Sequence, residues 1–100
     1  MGMQQNTILI TIDALRADHL SGYRYGRETS PELKVFADGA VTFTKAYSAT
    51  SHTREAVPAF LTGKYPDAAV NSSFHQNAET IGLRLSAEGY RTGAFHSNLF

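Results

Sequence analysis

The apolar positions of this chain predict three strands. Residues Thr7–Ile12 form a continuous aliphatic and β-branched run, which is typical of a strand buried on both faces of a parallel sheet. Apolar and polar residues alternate over Val41–Tyr47, and this predicts a second strand with one covered face. Arg91–His96 predicts a third strand.

Helical patterns alternate with these strands and complete the predicted fold. The predicted helices begin near Asp13, Ser30, Arg54 and Asn77, and they end by Gly22, Gly39, Gly63 and Gly89. Pro58 lies close enough to the start of the third helix to be tolerated in its first turn. Residues 67–76 show no clear period and predict a loop. Strands that alternate with helices predict an α/β fold, with a mainly parallel sheet and flanking helices.

Composition narrows the functional classes. Hydrophobic residues make up 42% and charged residues 18% of the 100 residues, which is ordinary globular composition. The formal net charge is zero, so we expect no nucleic-acid partner and no attraction to anionic membranes. No apolar run approaches the roughly 20 residues of a membrane span, and the polar start lacks a secretory signal, which predicts a cytoplasmic protein. The chain has no cysteine, which excludes disulfides and a cysteine nucleophile.

Asp13 is the first candidate for chemistry. It directly follows the Thr7–Ile12 run, and ligands of open α/β sheets bind beyond the carboxyl ends of the strands. A carboxylate in that position suits a hard or borderline divalent cation. The alternatives are that Asp13 caps the following helix or merely solvates the turn, and its position alone does not decide between these roles and metal binding.

Thr53 and Arg54 form the second candidate, at the start of the third predicted helix. A hydroxyl there lies near the helix-terminal N–H groups and the positive end of the dipole, which favours a phosphate or a sulfate. A metal beside it would convert the Thr53 hydroxyl into an alkoxide-like nucleophile for ester hydrolysis in two steps. The Arg54 guanidinium would pair with the substrate oxyanion. The alternatives are that Thr53 is an N-cap and that Arg54 is a solvated charge.

Other polar residues of the first half have simpler interpretations. We expect Arg16, Asp18 and His19 to order a loop through ion pairs and hydrogen bonds. Tyr23 and Tyr25 either pack on the surface or line the mouth of a substrate site.

A collinear series of segments resembles the alkaline-phosphatase/sulfatase superfamily. In chain order these are Ile12–Leu20 (IDALRADHL), Thr29–Leu33 (TSPEL), Val41–Ser48 (VTFTKAYS), Phe60–Pro66 (FLTGKYP) and Gly89–Phe95 (GYRTGAF). The resemblance covers nearly the whole chain. It implies an alkaline-phosphatase-like α/β/α sandwich, of which residues 1–100 are the N-terminal segment and an incomplete domain.

The resemblance also implies site residues and a cofactor. It makes Asp13 a ligand of a divalent metal, with zinc, magnesium, manganese and calcium all open. Counting back from Leu61-Thr62-Gly63, the nucleophile position falls on Thr53, which is similar to the threonine of phosphatase, phosphodiesterase and phosphoglycerol-transferase members. The implied substrate is a small phosphate or sulfate ester.

The chain departs from formylglycine sulfatases in two segments. Those enzymes need cysteine or serine at the nucleophile position, followed by proline and arginine, whereas this chain reads Thr53-Arg54-Glu55-Ala56-Val57. The second aspartate that is common after the first in arylsulfatases is replaced by Ala14. Sulfate-ester hydrolysis through a formylglycine is therefore not expected.

The remaining metal ligands are expected beyond Phe100, because the superfamily uses a distal cluster of Asp, His or Asn. Neither His75 nor His96 belongs to an Asp-His pair that could replace this cluster. His96, at the end of the third predicted strand, is the better substitute ligand, and the alternative is a structural histidine. A catalytic divalent site normally takes at least three protein ligands. We therefore expect the isolated chain to be inactive, only marginally stable and prone to self-association. The alternatives are a non-catalytic anion-binding module and a structural or interaction protein.

Overall fold

The computed structural model describes residues 5–70 and 78–97, and it divides the chain into two compact units. The first unit spans Met1–Ala46 and the second spans Tyr47–Phe100. The first unit contains two short 3-10 helices, Ala17–His19 and Ser21–Tyr23, and helix α1, Pro31–Asp38. The second unit contains helices α2, Thr53–Thr62, α3, Pro66–Ala69, and α4, Ile81–Ala87.

The predicted α/β fold with a mainly parallel sheet is wrong for the part of the chain that the structure describes. No strand forms over Thr7–Ile12, Val41–Tyr47 or Arg91–His96, and within residues 5–70 and 78–97 the one residue in an isolated β-bridge is Val70. A β-strand needs hydrogen-bonded partners from another segment. An apolar run shows only that its residues favour a buried position, not that such partners exist. Apolar side chains of the three predicted strands are exposed instead of buried among the described residues; Phe95 in the third, for example, is 100% exposed.

The helix predicted to begin near Asp13 is also wrong. Asp13 and Ala14 form a turn, and Ala14 has a φ of 56°, which lies in the left-handed region. A non-glycine residue in that region cannot continue a right-handed helix and costs about 1–2 kcal/mol. The chain becomes helical only at Ala17, and then as two 3-10 turns joined at Leu20.

The predicted start and end of helix α1 are confirmed. Ser30 is the N-cap, Pro31 is the first helical residue, and Gly39 is the C-cap. The Ser30 hydroxyl makes no cap hydrogen bond; it accepts one from the Ser21 N–H at 3.0 Å instead. The start of α1 is therefore tied to the 3-10 segment by side chains.

Helix α2 begins one residue earlier than predicted and ends where predicted. Gly63 is its C-cap with a φ of 68°, a left-handed conformation in which glycine has no steric penalty. Pro58 lies inside the helix beyond its first turn, so its expected position was wrong. Because proline has no N–H, it gives no hydrogen bond to the Arg54 carbonyl one turn earlier.

The apolar core of the described residues lies in the second unit. It consists of Ala59 on α2 with Ala69 and Val70 at the end of α3. Part of the predicted loop 67–76 is thus helical, while residues 71–77 lie outside the described residues. Helix α4 is shorter than predicted because Thr80 caps it, with its hydroxyl accepting from the Leu83 N–H at 3.3 Å.

Candidate active site

The N-terminus of α2 carries two of the predicted site residues side by side. Thr53 is the first residue of the helix and Arg54 is the second, and the N-cap is His52. The His52 carbonyl accepts from the N–H groups of Glu55 at 3.3 Å and Ala56 at 2.9 Å. Thr53 is therefore the first helical residue and not the N-cap.

The helix dipole and Arg54 favour an anion at this helix end, although Glu55 places a carboxylate in the same first turn. The first turn of a helix carries about half a positive charge from its N–H groups, and Arg54 is exposed beside it. Thr53 is half-buried, and both residues take part in interactions within the chain. His52 extends the polar surface, with its Nδ1 3.2 Å from the Ser51 hydroxyl.

Glu55 is a residue that the sequence analysis did not single out. Its Oε2 is buried, and among the described residues it is the one buried side-chain oxygen without a hydrogen-bond partner. Residues two apart on a helix do not share a face, whereas residues four apart do. Glu55 therefore lies on the side of Ala59, which is 6% exposed, and not on the side of Thr53. No sequence pattern signals this burial.

Asp13 lies in the first unit, on the turn before the 3-10 segment. It is exposed and takes part in an interaction within the chain. The N-cap of the nearest helical turn is Arg16, so Asp13 does not cap a helix. The capping role is therefore excluded, the role of a solvated turn residue is consistent with the exposure of Asp13, and the metal-ligand role stays a prediction.

Arg16, Asp18 and His19 form the network that the sequence analysis expected. Arg16 donates to both Asp18 carboxylate oxygens, with its Nε 3.0 Å and its Nη2 2.6 Å away, and the His19 Nδ1 lies 2.9 Å from Asp18 Oδ1. The Arg16 hydrogen bonds, followed by that of His19, hold the pKa of Asp18 well below its ordinary value. The same pair raises the pKa of Arg16. This network orders the loop that follows Asp13.

Two tyrosines pack on the first unit. The Tyr23 hydroxyl donates to the Phe43 carbonyl at 2.8 Å, and the Tyr25 ring lies 4.7 Å from the His19 ring. The Thr29 hydroxyl also donates to the His19 carbonyl. Surface packing is thus the role that the structure gives these side chains.

The residues present do not by themselves fit a divalent metal. Across residues 5–70 and 78–97, no three His, Cys, Asp or Glu side chains are grouped closely enough to hold an ion. His96 is exposed and follows no strand, and it has an interaction within the chain. His75 lies outside the described residues. Asp13 is therefore at most one ligand of a set that other groups complete.

An open groove lies at the other end of α2. It has a volume of about 500 Å³ and is lined by Phe60, Leu61, Thr62, Gly63, Lys64, Glu79, Ile81 and Arg84. Thr53 does not line it. A helix of this length is about 15 Å long, so this groove is not the site of the proposed nucleophile.

Within the described part of the chain, no helix has the length and apolar character that crossing a bilayer requires.

No curated protein and no solved structure gave a significant match to the chain. A comparison with protein-family models matches Sulfatase over residues 5–100. The match includes the Asp13 turn and the Thr53 helix. The chain therefore belongs to the sulfatase family.

Proposed function

We propose that this chain supplies the threonine nucleophile of a metal-dependent hydrolase or transferase of phosphate or sulfate esters. The observation that carries the proposal is the placement of Thr53. Its hydroxyl belongs to the first residue of α2, a helix of 10 residues whose N-cap is His52. A hydroxyl there lies at the positive end of the helix, where a phosphate or sulfate binds.

The proposed reaction proceeds in two displacement steps. Thr53 Oγ attacks the phosphorus or sulfur atom, the bond to the leaving alcohol breaks, and the hydroxyl proton passes to water. The departing alkoxide takes a proton from water. Water or a second alcohol then displaces Thr53 Oγ, which regenerates the threonine and releases the product. Arg54 stabilises the charge that develops on the transferred group.

Threonine at the nucleophile position favours phosphate esters over sulfate esters. The family match suggests sulfate-ester substrates, but threonine is not the residue that is matured to formylglycine. We therefore propose phosphate monoesters or diesters as the preferred substrates. A panel of aryl phosphates, phosphodiesters and aryl sulfates tests this, and faster turnover of an aryl sulfate than of every phosphate ester would contradict it.

Asp13 is proposed as one ligand of the divalent metal. The described residues gather no set of three donors, so no step of the reaction is assigned to the metal. The test is calorimetry with zinc, magnesium, manganese and calcium on the protein expressed from the complete reading frame. Asp13→Asn should weaken binding by at least about tenfold, since a direct ligand is lost. Asp38→Asn, an exposed aspartate at the end of α1, is the matched control.

Substitution of the nucleophile tests the proposal most simply. In the same protein, Thr53→Ala should lower kcat by at least about a thousandfold, because no other group replaces a lost nucleophile efficiently. Thr80→Ala is the control, since that threonine caps α4 and its loss should cost only helix stability, about 1 kcal/mol. Equal activity of Thr53→Ala and the unsubstituted protein would contradict the proposal.

The second candidate function is anion binding without turnover. It is favoured by the incomplete donor set in the described residues. Phosphate binding that weakens in Arg54→Gln, combined with no turnover of any ester at any of the four metals, would establish this alternative.

A further inference from the structure

His52 is the histidine that immediately precedes the proposed nucleophile. It is the N-cap of α2, and it caps the helix through its backbone, since its carbonyl accepts from the N–H groups of Glu55 and Ala56. Its side chain makes no cap hydrogen bond, and the residue is exposed. The imidazole is therefore not required to hold the start of α2, and it is accessible to a molecule that binds beside Thr53.

One nitrogen of the His52 ring is held by the preceding residue. The Ser51 hydroxyl lies 3.2 Å from His52 Nδ1, and within residues 5–70 and 78–97 it is the one side-chain partner of the ring. A hydrogen bond at Nδ1 orients the ring and leaves Nε2 for a further partner. The imidazolium and the neutral ring whose Nδ1 accepts from Ser51 both carry a proton on Nε2. His52 Nε2 is thus placed as a proton donor.

The first step of the proposed reaction requires a proton on the leaving side. The attacking and departing oxygens lie roughly in line, on opposite sides of the phosphorus. An alkyl ester leaves as a strongly basic alkoxide, and a positioned acid accelerates such a departure by about 10²–10⁴-fold. The Cα atoms of His52 and Thr53 are about 3.8 Å apart, as in any trans peptide. Because the imidazole is the longer side chain, the two residues can reach opposite ends of one scissile bond.

We propose that His52 is a further catalytic residue, which donates a proton to the departing alcohol, and that Ser51 is its positioning residue. This role rests on the function proposed for Thr53. In the first step Thr53 Oγ bonds to phosphorus and loses its proton to water, and the leaving oxygen takes the proton of His52 Nε2 in place of one from water. In the second step the attacking water gives a proton to His52, and Thr53 Oγ leaves and recovers from the solvent the proton that it lost.

This role makes the importance of His52 depend on the ester. A 4-nitrophenolate is weakly basic and departs as the anion, so a proton donor contributes little to its release. The alkoxide of an alkyl ester is far more basic, and its release depends on the donor. His52 therefore adapts the site to phosphate esters of aliphatic alcohols, which is a narrower substrate class than phosphate esters in general.

Leaving-group dependence tests the role of His52. On the protein expressed from the complete reading frame, kcat/KM is measured for 4-nitrophenyl, phenyl and alkyl phosphate esters. His52→Gln should lower the value for alkyl esters by at least about 100-fold and that for 4-nitrophenyl esters by less than about threefold. Retained 4-nitrophenyl turnover also shows that the variant is folded. An equal loss across the series, unchanged alkyl turnover, or no alkyl turnover in the unsubstituted protein would overturn the proposal.

Ser51→Ala tests the positioning role. It should lower alkyl-ester turnover by about tenfold, the effect of one lost hydrogen bond, and leave 4-nitrophenyl turnover unchanged. Ser86→Ala, at an exposed serine of α4, is the matched control and should leave the whole series unchanged. A loss in Ser51→Ala that is the same for every ester would contradict positioning through His52.

The same series separates this role from that of the nucleophile. If His52→Gln shows no leaving-group dependence while Thr53→Ala still abolishes 4-nitrophenyl turnover, the role of His52 is wrong and the nucleophile stands. If no turnover depends on Thr53, both proposals are wrong.

Discussion

Each of the two units of this chain is stabilised by a different kind of interaction. Among the described residues of the first unit, none is buried, and its order comes from side-chain hydrogen bonds around Asp18, Ser21 and Ser30. The second unit buries Ala59, Ala69 and Val70. It also has two helix ends fixed by local signals, the Thr80 cap and the left-handed Gly63.

This difference bears on the two candidate site residues. Thr53 begins a helix that contributes to the apolar core of its unit, so its position depends on packing. Asp13 lies on an exposed turn next to a left-handed alanine, so its position depends on local backbone conformation and on the polar loop that follows. Thr53 is therefore the more firmly placed of the two residues.

The largest effect is expected from a charge in the core of the second unit. Ala59→Lys should lower the free energy of unfolding by on the order of 3 kcal/mol, because it introduces an unpaired charge at a buried position. Val35→Lys in the first unit should change it by less than about 0.5 kcal/mol, as exposed substitutions do. Urea unfolding followed by circular dichroism measures both. Similar losses in the two variants would contradict the contrast between the units.

The sequence predicted the local features of both units and missed the long-range ones. Ser30-Pro31 and Gly39 delimit α1, and Gly63 ends α2, because capping depends on residues close in sequence. The Thr7–Ile12 strand failed because a ladder depends on partners that a sequence pattern does not supply.

The candidate site divides in the same way. The position of Thr53 at the start of a helix was predictable from the apolar stripe that follows it, as was the ionic network of Arg16, Asp18 and His19. The buried Oε2 of Glu55 was not, because burial depends on packing with other segments. The left-handed Ala14 carried no signal, since alanine normally favours helix.

A smaller effect is expected at the Asp13 turn. Ala14→Gly should raise the free energy of unfolding by about 0.5 kcal/mol, because relief of the left-handed strain slightly exceeds the greater chain entropy of glycine. Ala17→Gly, in the 3-10 helix, lacks that strain and should instead be destabilising. Thermal unfolding of the two variants gives the comparison, and a loss of stability in Ala14→Gly would contradict the strained turn.

The smallest effect is expected from protonation of Asp18, in the loop network, at acidic pH. Because Arg16 and His19 lower the pKa of Asp18 in the folded chain, the stabilisation is present above the ordinary value of 3.8. It is lost as the pH falls below that value, through the pKa of the folded state. The Arg16 Nε–H resonance should therefore persist at pH 4 and shift only at more acidic pH. In Asp18→Asn that resonance should already have shifted at neutral pH, and an unchanged resonance would contradict the ion pair.

The proposed mechanism requires that Thr53 form a covalent ester with the transferred group. The direct measurement is an acid quench of the complete reading-frame protein during turnover of a phosphate ester, followed by trypsin digestion and fragmentation mass spectrometry. The peptide Ala46–Arg54 contains Ser48, Thr50, Ser51 and Thr53, so fragmentation must separate them. We expect one phosphoryl group, on Thr53. Turnover without any phosphorylated peptide, or with the phosphoryl group on another residue, would contradict it.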